Sequence, residues 1–188
     1  MKIFITGGCK NGKSTYAELL VNELKNPLKP LYYLATMVPS DEEDHERILR
    51  HRRQRENFSF ETIEIPYDID NCLKICDKDG VFLLDSITAL LSNEMFKLNG
   101  TINKNAHIKI IKDINNLLSE INSIVLVSDY IFSDFYPYDD LTNDYRKGLG
   151  EIHKHIARFC DVVIEVAFGN LTIHKGQEEF KNLYEKIV

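Results

Sequence analysis

The chain lacks the features of secreted, membrane-spanning and general nucleic-acid-binding proteins. No apolar run approaches the roughly 20 residues that a helix needs to cross a bilayer, and the longest are short segments such as Val81–Leu84. No secretory leader is recognisable and there are only four cysteines, so we expect a cytoplasmic protein without disulfides. The net charge of −6 argues against a general binder of nucleic acid or anionic membranes, and we expect a small-molecule partner.

Cysteine pairs at zinc-ligand spacing are also scarce. Cys72 and Cys76 are four residues apart, but no second pair at a matching spacing accompanies them. Their neighbours Leu73 and Ile75 favour a half-buried helix or strand, with a metal site as the alternative.

The length of 188 residues and the 44% hydrophobic content suit one α/β domain over residues 1–188. Strand-like segments at 2–6, 31–36, 58–65, 81–84 and 123–128 alternate with segments of helical periodicity. Two last strands, 161–168 and 171–174, could form a hairpin around Gly169-Asn170. The pattern predicts a mostly parallel sheet with helices on both faces and an antiparallel edge hairpin. An irregular, functional loop is expected at 129–144.

The first strand ends in a loop with the pattern Gly-x4-Gly-Lys-Ser. The loop consists of Gly7, Gly8, Cys9, Lys10, Asn11, Gly12, Lys13 and Ser14. Glycines let the backbone wrap phosphates, N–H groups at a helix start attract negative charge, and the lysine reaches the outer phosphates. Such loops also arise by chance, but this one stands between a predicted strand and a predicted helix, as the motif requires. We therefore predict that the loop binds GTP or ATP, with Lys13 catalytic and no side-chain chemistry for Cys9 or Lys10.

A Mg²⁺ ion is the expected cofactor of such a loop. The hydroxyl of Ser14 would bind it, and Asp85, which follows the apolar strand at 81–84, would hold it directly or through water. A carboxylate at the end of a strand can instead simply cap the next helix. Both roles remain open for Asp85 at this stage.

A strongly charged helix is predicted over residues 40–56, with a capping box at its start. Its acidic beginning and basic end complement the helix dipole, and this alone explains the charges. It does not explain why Arg47, His51 and Arg55 fall at four-residue intervals, which puts an imidazole between two guanidinium groups on one face. Cationic neighbours favour the neutral, nucleophilic imidazole, and the arginines would hold phosphates. The alternative hypothesis is therefore nucleotidyl transfer by His51.

Five motifs follow one another along the first half of the chain. They are Thr6-Gly7-Gly8-Cys9-Lys10-Asn11-Gly12-Lys13-Ser14, Tyr33-Leu34-Ala35-Thr36, Arg47-Ile48-Leu49-Arg50-His51 with Arg55, Thr62-Ile63-Glu64-Ile65-Pro66, and Asp85-Ser86-Ile87-Thr88-Ala89-Leu90-Leu91-Ser92-Asn93. In this order they resemble the bifunctional adenosylcobinamide kinase and adenosylcobinamide-phosphate guanylyltransferase family of cobalamin assembly.

The resemblance implies a P-loop NTPase (RecA-like) fold, a homotrimer and a corrinoid substrate. In that family, the hydroxyl of adenosylcobinamide is phosphorylated and the new phosphate then receives GMP. The histidine that matches His51 takes GMP from GTP as a covalent intermediate. Thr36 belongs to one family signature, and Glu64 and Asp85 match positions that contact nucleotide or metal, so the resemblance implies nucleotide-binding roles for all three.

The second half of the chain departs from the family pattern. Where the family usually has Ser/Thr-Asn-Glu-Val-Gly-x-Gly-Ile-Val-Pro, this chain has Ser128-Asp129-Tyr130-Ile131-Phe132-Ser133-Asp134-Phe135-Tyr136-Pro137. Two further hypotheses therefore stand beside the first. One is a divergent P-loop kinase or nucleotidyltransferase with another small-molecule acceptor, and the other is a nucleotide-binding regulatory protein that has lost catalysis.

Overall fold

The computed structural model describes residues 1–39, 41–55 and 58–184. It leaves out a few side chains of the second and last helices: Glu43, Asp44, His45, Arg47, His51, Gln54 and Tyr184. Ser40, the predicted start of the capping box, lies outside the described residues. None of the helices within these ranges combines the length and apolar character that a bilayer crossing needs.

Strands and helices alternate along most of the chain. The strands are β1 (Lys2–Gly7), β2 (Leu31–Ala35), β3 (Glu61–Glu64), β4 (Val81–Asp85), β5 (Ser123–Asp129), β6 (Val162–Ala167) and β7 (Asn170–Lys175). The helices are α1 (Lys13–Leu24), α2 (Glu42–Arg55), α3 (Ile87–Met95), α4 (Ala106–Glu120), α5 (Asp140–Phe159) and α6 (Gln177–Tyr184), with a 3₁₀ helix at Ile69–Lys74.

All seven strands join one sheet in the order β3-β2-β4-β5-β1-β6-β7. Every neighbouring pair is parallel except β6 and β7, which form an antiparallel hairpin at one edge. Parallel strands need crossover connections, and the helices between them supply these. The predicted mostly parallel sheet with an edge hairpin is therefore confirmed.

Helices cover both faces of the sheet, which explains why the central strands are continuously apolar. Because side chains alternate along a strand, each strand supplies both faces. One face packs with buried residues of α3, α4 and α5, and its sheet side chains include Phe4, Leu34, Phe82, Leu84 and Leu126. The other packs with buried residues of α1 and α6, and its sheet side chains include Ile3, Ile5, Tyr33, Leu83 and Val125.

The hairpin turn lies one residue earlier than the sequence predicts. It consists of Phe168 and Gly169, with φ angles of 51° and 75°, whereas Asn170 is already the first residue of β7. Two positive φ angles in succession suit the right-handed twist of paired strands. The side-chain amide of Asn170 donates a hydrogen bond to the carbonyl of Phe168 at 3.2 Å. Asn170 therefore still stabilises the turn, although it is already part of β7.

The structure favours the helical interpretation of the segment that contains Cys72 and Cys76. Cys72 is fully buried in the 3₁₀ helix, and Cys76 is buried just after it. Burial raises the pKa of the two thiols, to about 12 for Cys72 and about 11 for Cys76. Because zinc binds the thiolate rather than the thiol, these surroundings argue against the metal-site alternative.

The aromatic core offers a direct test of this packing. Phe82 is fully buried, and its ring centroid lies 4.9 Å from that of Tyr32. Replacing Phe82 with alanine should lower the free energy of unfolding by about 3–5 kcal/mol, because a large buried ring is lost and a cavity remains. Urea unfolding measures this change. Leu28→Ala is the control, because Leu28 is 90% exposed and should change stability by less than about 0.5 kcal/mol. Equal losses for the two variants would contradict the described core.

Candidate functional site

The loop between β1 and α1 depends on glycine at both of its ends, for different reasons. Gly12 has a φ of 90°, in the left-handed region that glycine adopts without strain. Gly7 lies so close to the carbonyl of Val166 that an added Cβ atom would clash with it. The side chain of Asn11 donates a hydrogen bond to the same carbonyl, so the loop is fastened to β6.

Helix α1 begins directly after the loop, and its cap position, Gly12, has no side chain to bond the N–H groups of the first turn. The N–H groups and the helix dipole at such a start attract anions. Gly8, Cys9 and Lys10 are exposed beside it, and Ser14 is half-buried. The position and exposure of the predicted phosphate loop are compatible with phosphate binding, which remains a prediction.

Lys13 is the cation of this loop and is only 8% exposed. Its Nζ lies 3.1 Å from the carbonyl oxygen of Gly8 and 2.5 Å from Oδ1 of Asp129. A buried ammonium group is stable only when oxygens replace its water. The loop thus holds its lysine in place with a backbone carbonyl and the carboxylate at the end of β5.

Asp85 ends β4, and it does not cap the helix that follows. The cap of α3 is Ser86, whose Oγ accepts a hydrogen bond from the backbone N–H of Ala89 at 3.2 Å. The capping alternative for Asp85 is therefore wrong. Its Oδ2 accepts a hydrogen bond from the hydroxyl of Tyr33 at 3.2 Å. The hydroxyl of Ser14, in the first turn of α1, and the carboxylate of Asp85, at the end of β4, are both oxygen donors of the kind that Mg²⁺ prefers, so the chemistry of the predicted residues suits the ion.

A cavity of about 640 Å³ opens at the ends of β2, β4 and β5, within the size range of small-molecule sites. Three groups of side chains line it. The sheet contributes Tyr33, Thr62, Glu64, Asp85 and Asp129; α2 contributes Ile48, Leu49, Arg52 and Arg55; and α3 with α5 contributes Thr88, Ala89, Ser92 and Tyr145. The structure therefore brings three predicted site residues, Arg55, Glu64 and Asp85, into one cavity.

Arg55 is buried, with 7% exposure, although it carries a permanent charge. Its guanidinium carbon lies 3.4 Å from the centroid of the Tyr33 ring, a cation–π contact. Its Nη1 has no hydrogen-bond partner among the described residues. A buried guanidinium with an unused N–H beside a cavity is suited to bind an anionic oxygen.

Glu18 follows Ser14 by one helical turn and is also buried. Burial raises the pKa of this carboxyl to about 7, the positive charge of Arg55 opposes the rise, and the negative charge of Asp85 adds to it. Tyr33 lies between the same charges, and burial followed by Asp85 raises the pKa of its hydroxyl well above the ordinary value. Ionisable groups of both signs thus lie close together and buried around Arg55.

Two other predicted residues have partners of their own. Glu64 forms an exposed ion pair with Arg52, at 2.6 Å. Thr36 is fully buried, where its Oγ1 accepts from the backbone N–H of Ser86 at 2.7 Å and donates to the Ser86 carbonyl at 2.8 Å. This pair of bonds ties the end of β2 to the start of α3, and a nucleotide contact by Thr36 remains a prediction. The side chains of Arg47 and His51 lie outside the described residues.

Sequence reasoning missed a chain of polar groups behind the loop. Nε2 of His153 lies 2.7 Å from Oγ of Ser128, and this Oγ lies 3.1 Å from Oγ1 of Thr88. Oγ1 of Thr88 in turn accepts a hydrogen bond from the backbone N–H of Asp129 at 2.8 Å. Asp129 itself stands at the end of a buried strand, a signal that could have found it. The histidine gave no comparable signal, because its partner is 25 residues away in sequence.

The strand, the glycine loop, the buried lysine and the carboxylate at the end of β4 define a P-loop NTPase of the RecA-like class. An ATPase domain of known structure has a similar fold, with a TM-score of 0.51 and 12% sequence identity, over 87% of this chain and 68% of that one. At this identity the likeness concerns the fold alone.

The family described as cobinamide kinase / cobinamide phosphate guanyltransferase matches residues 3–173, and the chain belongs to this family. Two relatives share the name bifunctional adenosylcobalamin biosynthesis protein CobU. The protein from Escherichia coli K12 is 26% identical over 180 residues, and the one from Salmonella typhimurium LT2 is 28% identical over 180 residues. Each alignment covers 90% of this chain and 97% of the relative. The family resemblance found in the sequence is confirmed.

The buried histidine makes stability depend on pH. His153 is 9% exposed, between the rings of Phe4 and Phe132. Burial lowers its pKa from 6.5 to about 4, against the attraction of Asp129. The unfolded chain therefore takes up a proton near pH 6.5 and the folded chain only near pH 4. Stability must fall as the pH drops through this window, and the loss is complete below it.

We expect His153→Gln to remove this contribution, because glutamine does not titrate and its amide can still bond to Ser128. Between pH 6.5 and pH 4, the wild type should lose about 3 kcal/mol more unfolding free energy than the variant. Urea unfolding at several pH values across the window measures the difference. Parallel pH profiles for the two proteins would show that the imidazole titrates normally in the folded state.

Proposed function

We propose that this protein phosphorylates adenosylcobinamide and then transfers GMP from GTP to adenosylcobinamide phosphate, with His51 as the covalent carrier. The family description names both activities, and both relatives are named for adenosylcobalamin biosynthesis. The protein would thus act in cobalamin biosynthesis, in the cytoplasm, as one domain over residues 1–188. A homotrimer is the proposed assembly.

The observation that carries the proposal is that α2 and the strand-end carboxylates Asp85 and Asp129 line the same cavity. Ile48 and Arg55 line the cavity from this helix. His51 falls three residues after Ile48 and four before Arg55, which is the spacing of one helical face. Asp129, which contacts Lys13 of the phosphate loop, also lines this cavity, so the loop and a histidine nucleophile would act side by side.

In the kinase step, the triphosphate of ATP or GTP would lie on the loop. The backbone N–H groups and the start of α1 would bind its phosphates, and Lys13 would offset the charge that develops on the transferring phosphoryl group. Ser14 and Asp85 would hold Mg²⁺, which supplies further positive charge when bound. The hydroxyl oxygen of the acceptor forms a bond to the γ-phosphorus, and the nucleoside diphosphate leaves.

In the guanylyl step, an imidazole nitrogen of His51 would attack the α-phosphorus of GTP, and diphosphate would leave with the bonding electrons. A phosphate oxygen of adenosylcobinamide phosphate then attacks the same phosphorus, so that GMP passes on and the imidazole is released. Arg55, with its unused Nη1, would bind negative charge on these phosphates. Arg47, four residues before His51, would also bind negative charge on the phosphates. Glu64 would contact the nucleotide.

The covalent step has a direct test. Incubation with GTP labelled at the α-phosphate should leave acid-labile label on the wild-type protein, because a phosphorus–nitrogen bond to histidine breaks in acid. His51→Ala should abolish the label. His174→Ala is the control, because His174 is half-exposed at the edge hairpin, paired with Glu165. Undiminished label on His51→Ala would rule out the proposed carrier.

The kinase step is tested with Lys13→Ala. Losing this cation should lower phosphoryl transfer to adenosylcobinamide by about 10²–10³-fold, the usual effect of removing one group that stabilises transition-state charge. Transfer of γ-label from ATP and from GTP measures the rate and identifies the donor. Lys25→Ala, at the exposed far end of α1, should retain full activity. Transfer that survives in Lys13→Ala would place the kinase chemistry elsewhere.

The segment between β5 and α5 favours a second candidate function, a kinase or nucleotidyltransferase of this family with a different acceptor. This segment is rich in aromatic residues, and Phe135 and Tyr136 are 102% and 67% exposed. It replaces the glycine-containing family sequence noted above. Phosphorylation of adenosylcobinamide at a rate comparable to that of the relatives would exclude this candidate. A regulatory protein without catalysis is excluded by any transfer activity that Lys13→Ala abolishes.

A further inference from the structure

Asp129 stands where the phosphate loop and the cavity meet. In the parallel pairing of β1 with β5, Asp129 lies opposite Gly7, the first residue of the loop. In the pairing of β5 with β4, Asp85 lies opposite Val127, so Asp129 reaches two residues further towards the cavity than the proposed metal ligand. Its side chain is 26% exposed and lines the cavity. This carboxylate is therefore accessible to a substrate and adjacent to Lys13 of the loop that is proposed to bind the phosphates.

The backbone at this position is fixed on both sides. The N–H of Asp129 donates to Thr88 Oγ1 at 2.8 Å, and the N–H of Tyr130 donates to the carbonyl of Gly7 at 2.8 Å. Thr88 is held in turn by its contact with Ser128 and by the hydroxyl of Tyr145, which donates to the Thr88 carbonyl at 2.9 Å. The backbone that carries the carboxylate is therefore fixed, which limits the positions that the side chain can reach and favours a defined contact.

A bound nucleotide would compete with Asp129 for Lys13. Two of the three N–H donors of this ammonium group are used, by Asp129 at 2.5 Å and by the carbonyl of Gly8 at 3.1 Å, and the outer phosphates need the same cation. As the phosphates take Lys13 Nζ, the carboxylate of Asp129 loses part of its counter-charge while it remains beside the γ-phosphate. An ionised carboxylate can only accept hydrogen bonds, so its natural partner there is the O–H of an attacking group.

We infer that Asp129 is the catalytic base of phosphoryl transfer. This rests on the kinase step proposed above. As the hydroxyl oxygen bonds to the γ-phosphorus, its proton moves to an Asp129 carboxylate oxygen. The bond from that phosphorus to the β–γ bridging oxygen breaks, and its electron pair leaves with the nucleoside diphosphate. Asp129 then releases the proton to water. Water can take the place of the alcohol, so the same base also serves slow hydrolysis of the nucleotide.

The test compares Asp129→Asn with wild type in three measurements: transfer of γ-label to adenosylcobinamide, release of inorganic phosphate from ATP or GTP without acceptor, and binding of ADP without added metal. Asparagine keeps the size of the side chain and removes the base. We expect kcat for transfer and for hydrolysis to fall about 100-fold or more. ADP should bind more tightly, because Lys13 no longer has a competing carboxylate, and tight binding also shows that the variant is folded.

Asp79→Asn is the matched control. Asp79 lies in the turn before β4, where it is exposed and paired with Lys29 at 3.0 Å, and its loss should leave both rates unchanged. Unchanged hydrolysis in Asp129→Asn would overturn the inference. So would rates that return to the wild-type level at high Mg²⁺, because they would make Asp129 a metal ligand. A wild type that hydrolyses nucleotide but does not phosphorylate adenosylcobinamide would contradict the proposed function alone, because the hydrolysis comparison still decides the role of Asp129.

Discussion

The parallel pairing of β1 with β5, and of β5 with β4, is the constraint on which the site depends. It makes three strands end at the same edge of the sheet, so the glycine loop, Asp129 and Asp85 meet without any long-range loop to bring them together. The helices on both faces are a consequence, since parallel strands need crossover connections and bury both faces. The first of these helices starts at Lys13 and therefore directs its dipole at the same edge.

This arrangement buries three ionisable side chains near the site. Lys13, Glu18 and Arg55 are each at most 8% exposed. The cost of burial is limited in a different way for each of them. Lys13 has a carboxylate beside it, Arg55 lies on an aromatic ring, and the raised pKa of Glu18 favours its neutral form. Electrostatic interactions are stronger in such a site than in water. A triphosphate bound as proposed would find the two cations, Lys13 and Arg55, already held in the fold, and it would compete only with Asp129 for Lys13.

A feature of the fold or of the site can be predicted from the sequence when a short stretch of neighbouring residues defines it. The apolar runs, the Gly-x4-Gly-Lys-Ser loop and Asp85 could be found because each is defined by a short segment and its flanks. Asp129, Thr88 and His153 could not be connected, because their contacts depend on the sheet order and on the packing of α5. Thr36 was found through a local motif, but its side chain is hydrogen-bonded to Ser86 inside the fold, a contact that the motif does not predict. The sequence predicts the hairpin turn one residue too late, because Phe168 adopts a positive φ angle, which is uncommon for a residue with a bulky side chain.

Two segments that adjoin at Asp129 are held in different ways. The phosphate loop lies between the end of β1 and the start of α1 and is fixed largely by backbone geometry. The segment from Asp129 to the start of α5 is held by side chains. Arg146 pairs with Asp134 and lies 4.8 Å from the ring of Tyr138, which fastens the segment to α5. Such a segment can change its sequence without disturbing the sheet. The family pattern is accordingly retained in the loop that is proposed to bind phosphates and lost in the segment after β5, and Asp129 is the residue at which this segment contacts the loop through Lys13.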